Sequence, residues 1–203
     1  MEKKTGVHAI FSFPPIYNLF QNLVGAIRSR RYFAENFIRP RAGNRVLDIG
    51  CGTGEMFPFL GKVDYHGFDL DPGYIEKAKT KFPHGSFICS EISRESLGSL
   101  QPFDIAIAVG VIHHLNDTQA GELFNIASLS LKPGGRLLTV DPCFDKRQSG
   151  LARLILSQDR GKNIRSESEY FRLASAAFPK VKSTIRLRPL RIPYTHIILE
   201  CEK

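Results

Sequence analysis

Val46-Leu47-Asp48-Ile49-Gly50-Cys51-Gly52-Thr53-Gly54 is the stretch that decides how this chain of 203 residues folds. An apolar run, broken only by Asp48, leads straight into three glycines spaced by two. Such a run reads as a strand covered on both faces, as in a parallel sheet. Glycine at its end permits a positive φ and lets a ligand approach the backbone. Nineteen residues after Gly50, Asp69 closes a second run, Tyr65-His66-Gly67-Phe68-Asp69. A carboxylate at that strand end can accept both hydroxyls of a ribose. Loop and acid together point to a nucleoside-containing cofactor.

The loop spacing narrows the choice. The dinucleotide fingerprint is G-x-G-x-x-G, with a pyrophosphate at the following helix; here the spacing is G-x-G-x-G. Asp48 stands two residues before the first glycine and Glu55 directly follows the last. A buried carboxylate there repels a pyrophosphate and attracts a cation.

Outward from this core, three more short apolar runs read as strands: Ser86-Phe87-Ile88-Cys89, Phe103 to Val109, and Arg136-Leu137-Leu138-Thr139-Val140. Helices fit between them. Asp71-Pro72 supplies a cap and an N1 proline for a helix over 73–82. Asn116 or Asp117 caps a helix running to about Leu131, which Lys132-Pro133-Gly134-Gly135 ends with a turn. Strand–helix alternation of this kind makes right-handed βαβ units. Residues 14–38 read as an aromatic-rich helical region, and 142–178 as two helices, the second opened by the capping box Ser166-Glu167-Ser168-Glu169. Val181–Leu187 and Tyr194–Glu200 read as two final strands.

Composition sets outer limits. Hydrophobic residues are 42% and charged residues 24%, which excludes a disordered chain. No apolar run approaches the ~20 residues of a membrane span. The start, Met-Glu-Lys-Lys-Thr-Gly, has no apolar secretory core, so a cytoplasmic location is expected. Cys51, Cys89, Cys143 and Cys201 show no CxxC or CxxH spacing, so no metal site is expected and the thiols read as ordinary ones, Cys51, Cys89 and Cys201 as small buried apolar residues. The net charge of +8 is unevenly spread: residues 1–45 carry +6, 46–141 carry −5, 142–191 carry +8 and 192–203 carry −1. An acidic middle lies between basic flanks.

At this point the sequence resembles the class I S-adenosylmethionine-dependent methyltransferases, of the small-molecule, type 11/12-like kind. The resemblance rests on Val46–Gly54, on Phe68-Asp69-Leu70-Asp71, on Ser90-Glu91-Ile92, on the stretch Phe103–Asp117 containing Gly110-Val111-Ile112-His113-His114-Leu115, and on Leu131–Leu137. It covers about residues 44–141. It implies an α/β fold, a Rossmann-like three-layer sandwich: a seven-stranded, mostly parallel sheet of order 3-2-1-4-5-7-6, last strand antiparallel, with helices on both faces. It implies one domain over 1–203: a helical cap (1–43), the cofactor-binding core (44–141), a helical lid (142–178) and closing strands (179–203). It also implies S-adenosylmethionine as cofactor, S-adenosylhomocysteine as product, and roles for residues. Gly50, Cys51, Gly52 and Gly54 would face the methionine part; Asp69 would hold the ribose, with Leu70 beside the adenine; Glu91 and Ile92 would meet the adenine edge and face. Gly110 and Asp48 would lie near the cofactor's amino group, and Tyr17 could close over it.

The implied reaction is in-line displacement at a sulfonium methyl. The protein then supplies alignment and, for a hydroxyl acceptor, a base. His113 and His114, after the fourth strand, and Asp141, ending the fifth, are the candidates; His196 reads as a strand-face histidine. The Asn/Asp-Pro-Pro-Tyr/Phe pattern of amino-methylating enzymes is replaced by Gly110-Val111-Ile112-His113, and Cys143 lacks the partners of a cysteine nucleophile. The basic flanks suggest a small or medium anionic acceptor, anchored by Arg160, Lys162 and Arg165. A membrane-surface acceptor is a second reading, RNA a third with no recognition module visible, and a non-catalytic cofactor-binding protein a fourth.

Overall fold

The computed structural model describes residues 25–98, 100–159, 161–187, 189–190 and 192–203. The expectations for Tyr17 and Arg160 therefore lie outside the described residues. The described residues open with α1 (Ala26–Phe33), continued by one wide turn (Ala34–Ile38). Then come β1 (Arg45–Ile49), β2 (Asp64–Asp69), α2 (Pro72–Lys81), β3 (Ser86–Cys89), the short α3 (Arg94–Leu97), β4 (Phe103–Val109), α4 (Asp117–Ser130) and β5 (Leu131–Phe144). The chain closes with α5 (Gly150–Ser157), the two-residue β6 (Arg165–Ser166), α6 (Glu167–Ser175), β7 (Lys180–Leu187) and β8 (Thr195–Glu202).

The sheet runs β3-β2-β1-β4-β5-β8-β7, with β6 beside the far end of β5. Strands β1 to β5 pair in parallel, and β8 is antiparallel to both its neighbours. This is the expected order, with the small β6 shifting the last two numbers by one.

Strand periodicity explains how both faces are filled. Along β4, Ile105 and Ile107 point to one side and Ala106 and Ala108 to the other. The isoleucine side joins Val46, Leu138 and Ile198 under Phe33, Ala34 and Ile38 of the N-terminal helical segment and Ile75 and Ala78 of α2. The alanine side leaves room for Phe124 and Ala127 of α4 and Tyr170 and Ala174 of α6. Runs apolar at every position belong in a sheet with two such faces.

The local signals form as read. Asp71 caps α2 and accepts from the Tyr74 N–H at 3.0 Å. Asn116, not Asp117, caps α4, exchanging bonds with Gln119. Ser166 and Glu169 close the capping box of α6. The fifth strand differs. It was expected at 136–140 but begins at Leu131, which pairs with Phe103, and the register then jumps so that Arg136 faces Ile105. Lys132–Gly135 bulge out of the ladder, and the C-terminus ties the bulge down: the Gly134 N–H donates to the Lys203 carbonyl and the Lys203 N–H to that of Gly135. Cys89 also departs from expectation. It is exposed, because it ends edge strand β3.

Candidate functional site

At the C-terminal end of β1, Gly50, Gly52 and Gly54 all take positive φ (71°, 54° and 76°). Their surroundings differ. A Cβ on Gly50 would stand 2.6 Å from Val111 Cγ2, and one on Gly54 3.0 Å from Phe82 and Phe87, whereas nothing lies within 4 Å of the same position on Gly52. Gly52 thus borders open space. Its N–H donates to Asp69 Oδ2 at 2.8 Å, and the Asp71 N–H donates to Asp69 Oδ1 at 2.9 Å. These two bonds fix the carboxylate and leave lone pairs for further donors.

Beneath the loop, Asp48 is buried and accepts from the Tyr65 hydroxyl at 2.7 Å. Burial pushes its carboxyl up to about 7, against the opposing Tyr65 bond and with help from the charge of Asp69. Cys51 is buried beside them, and burial holds its thiol far above the ordinary range. Glu55 is tied to Arg30 of α1 at 3.4 Å and to Lys81 at 3.2 Å.

On the flank, Leu70 presents 69% of its surface to solvent directly after Asp69. Glu91 is exposed and Ile92 half-buried against the core. Gly110, also at positive φ (71°), anchors its N–H on the Val140 carbonyl at 2.7 Å. Asp48, the three glycines, Asp69 and Gly110 therefore share one end of the sheet, as do the first turns beyond β2 and β3.

The turn Ile112–His114 separates the two histidines. His113 is buried. Its Nδ1 lies 2.8 Å from Asp141 Oδ1, its backbone N–H donates to the same oxygen at 3.1 Å, and its Nε2 lies 3.5 Å from Asp159 Oδ1. Burial alone would lower its basicity; the two carboxylates overrule that and hold it at about 9. His113 is thus protonated at neutral pH, with both nitrogens engaged. His114 is exposed at 4.0 Å between ring centroids. Partial burial and the neighbouring His113 charge push it below the ordinary histidine range.

Asp159 and Tyr194 were not legible as site residues. The Tyr194 hydroxyl donates to Asp159 Oδ2 at 2.6 Å. One signal was available: Asp159 is a rare acid in a strongly basic stretch. Of the other acids there, Asp145 bonds Arg147, Glu169 bonds Ser166 and Glu167 accepts from Ser183.

The basic candidates divide. Lys162 is exposed and forms no ion pair among the described residues. Arg165 corrects the expectation of a substrate anchor. Its guanidinium is buried, donating to Asp117 and to the carbonyls of Ile112, Leu115 and Asn163. A fork with those partners is not left for a ligand. His196 sits on β8, pushed down to about 4 by burial and by the charges of His113 and Arg186. Cys143 is buried, and burial pushes it up to about 12.

Comparison with known proteins agrees with this geometry. A family model described as a methyltransferase domain matches residues 25–177. An uncharacterized methyltransferase of Anoxybacillus flavithermus is 27% identical over 62% of this chain and 60% of its own length. An O-methyltransferase of Pyrenophora dematioidea is 31% identical over 54% of this chain and 43% of its own. The chain thus spans three-fifths or less of these relatives' lengths. Among solved structures, geranyl diphosphate C-methyltransferase from Streptomyces coelicolor, with Mg2+, geranyl-S-thiolodiphosphate and S-adenosylhomocysteine, superimposes with a TM-score of 0.63 at 14% identity, over 83% of this chain and 74% of that one. That likeness is one of fold.

Proposed function

This chain belongs to the methyltransferase-domain family, and on that premise we propose that it moves the methyl group of S-adenosylmethionine to an oxygen of a small or medium anionic acceptor, releasing S-adenosylhomocysteine. The observation that carries the reading is the acidic cradle: Asp69 pinned by the Gly52 and Asp71 N–H groups, Asp48 buried below, and open space over Gly52.

The residues present fit this cofactor. Asp69 keeps lone pairs for a ribose diol, Leu70 offers an exposed apolar face for a purine, and Asp48, when ionised, sets a negative field suited to a cation, whereas Glu55 is already paired with Arg30 and Lys81. When bound, the cofactor supplies a methyl on a positively charged sulfur, an activated leaving group. The chain's own part is alignment and proton removal. His114 is exposed and neutral at pH 7, so it can accept the acceptor's proton. His113 cannot, being already protonated and closed in by Asp141 and Asp159. Lys162, with Arg160, would draw the acceptor's negative group.

The test is incubation of the purified protein with methyl-labelled cofactor and a panel of hydroxylated carboxylates and phosphate esters. Label should enter an oxygen of an anionic member, and His114→Ala should slow transfer without changing cofactor affinity. Label on nitrogen or carbon, or tight cofactor binding with no labelled product even from a metabolite extract, overturns the reading.

One observation favours a membrane-surface acceptor as the second reading. On α5, Leu151 and Leu154 stand exposed near Lys146 and Arg153. Absence of co-sedimentation with anionic vesicles at low salt would remove it.

A further inference from the structure

Residues 161–165 cross the Ile112–Leu115 turn as a strap. Every carbonyl of that turn receives a donor from it. Arg165 reaches the carbonyls of Ile112 at 3.2 Å and Leu115 at 2.7 Å, the Asn163 N–H that of His113 at 3.0 Å, and Asn163 Nδ2 that of His114 at 3.4 Å. Gly161 packs so closely on the His113 ring that a Cβ there would overlap His113 Cδ2. The Gly161 N–H in turn donates to Asp159 Oδ1 at 2.8 Å, the oxygen that faces His113 Nε2. Asp159 is further held by Tyr194. Asp141 and Asp159 thus reach one imidazole from β5 and from the segment after α5, with Tyr194, just before β8, holding Asp159 in place.

We propose that His113 is a positioning residue that, as the bridge between Asp141 and Asp159, fastens the 161–165 strap, which is bonded to Asp159, over the 112–115 turn and thereby fixes His114 at the acceptor side of the site. This rests on the reading of His114 as the proton acceptor, but the bridge itself can be tested without an acceptor. The groups that face His113 are Asp141, Asp159, His114 and His196; those that face His114 are His113, Asp141 and Asp159. A cation held at His113 raises the cost of a second one on the adjoining ring, so the bridge keeps His114 free to take a proton. It also ties Asp159, beside the strap, and the β5 residue Asp141 to the turn after β4 through one charge-assisted contact on each side of the ring.

The experiment is histidine C–H NMR titration of the full chain, with amide hydrogen exchange, for the unaltered protein, Asp159→Asn and His113→Asn. His113 should titrate near 9 in the unaltered chain and lower in Asp159→Asn. In His113→Asn, the His114 midpoint should move up towards 6.5. In both variants the amides of Gly161 and Asn163 should exchange about tenfold faster or more, as the loss of a charge-assisted bond implies, while β1 and β4 amides stay protected. Asp159→Asn keeps the Asp141 bond, so it serves if His113→Asn fails to fold. An unmoved His113 midpoint in Asp159→Asn, or unchanged exchange at Asn163, overturns the bridge. An intact bridge whose His114→Ala variant methylates normally leaves the bridge standing and sinks the base assignment instead.

Discussion

A carboxylate buried under a glycine loop is costly until something positive arrives. Asp48 is held at about 7, far above an ordinary aspartate. In the folded, ligand-free chain it therefore becomes charged only as pH rises through about 7, and a cationic cofactor favours that charged form. Affinity for S-adenosylmethionine should rise between pH 6 and 8, with a proton released on binding, roughly in proportion to the ionised fraction. Calorimetry in two buffers of different ionisation heat reads both. Asp48→Asn should flatten the pH dependence and stabilise the free protein above pH 7, because it removes a buried charge. Asp69 acts differently, through geometry. Asp69→Ala should weaken cofactor binding about 100-fold, the loss of two hydrogen bonds to a charged group.

At the level of elements, the glycine loop separates strain from contact. Gly50→Ala meets both a positive φ and Val111 at 2.6 Å, so it should lower stability by about 1–3 kcal/mol in denaturant titration. Gly52→Ala has room in the free protein; it should lose cofactor affinity by more than it loses stability. The strap offers a second contrast. Arg165→Ala leaves buried carbonyls without their donor and should cost about 3 kcal/mol, whereas Lys162→Ala, at an exposed position, should leave stability unchanged and raise the acceptor KM. These elements were unevenly legible. The caps Asp71 and Ser166, and the choice between Asn116 and Asp117, could be read because a cap and the N–H it bonds are only three residues apart. The start of β5 at Leu131 could not, because the bulge at Lys132–Gly135 is held by Lys203, at the other end of the chain.

The whole molecule carries an uneven charge and an uneven response to pH. Part of the basic flank is already paired: Arg165, buried, and Arg172, at the surface, both bind Asp117, and exposed Lys180 binds Glu202. The part left to meet an acceptor is narrower than the flanks' total suggests. His113 sets the alkaline behaviour. Its folded value, about 9, lies above its ordinary 6.5, so its contribution is complete below pH 6.5 and is lost as pH rises through about 9. Thermal stability should fall over that window in the unaltered protein and much less in His113→Asn, as read by calorimetric scans. His196, pushed down to about 4, acts on the acid side: the unfolded chain takes up a proton near 6.5 that the fold resists.

The sequence by itself determined the core strands, the glycine loop, the acid that closes β2 and the helix starts at Asp71 and Ser166, while the order of the strands came through the resemblance to a family. The local features depend on backbone preference, periodicity or a spacing of a few residues, and such signals survive without knowledge of the neighbours. Only the tertiary structure decided which histidine faces outward, that Arg165 is a strut, and that Asp159, held by Tyr194, meets His113. Those roles hang on partners 28 to 53 residues apart, brought together by the packing of β4, β5 and the strap. A histidine's charge and an arginine's availability are set by what burial and neighbouring carboxylates do to them, and those neighbours are chosen by the fold.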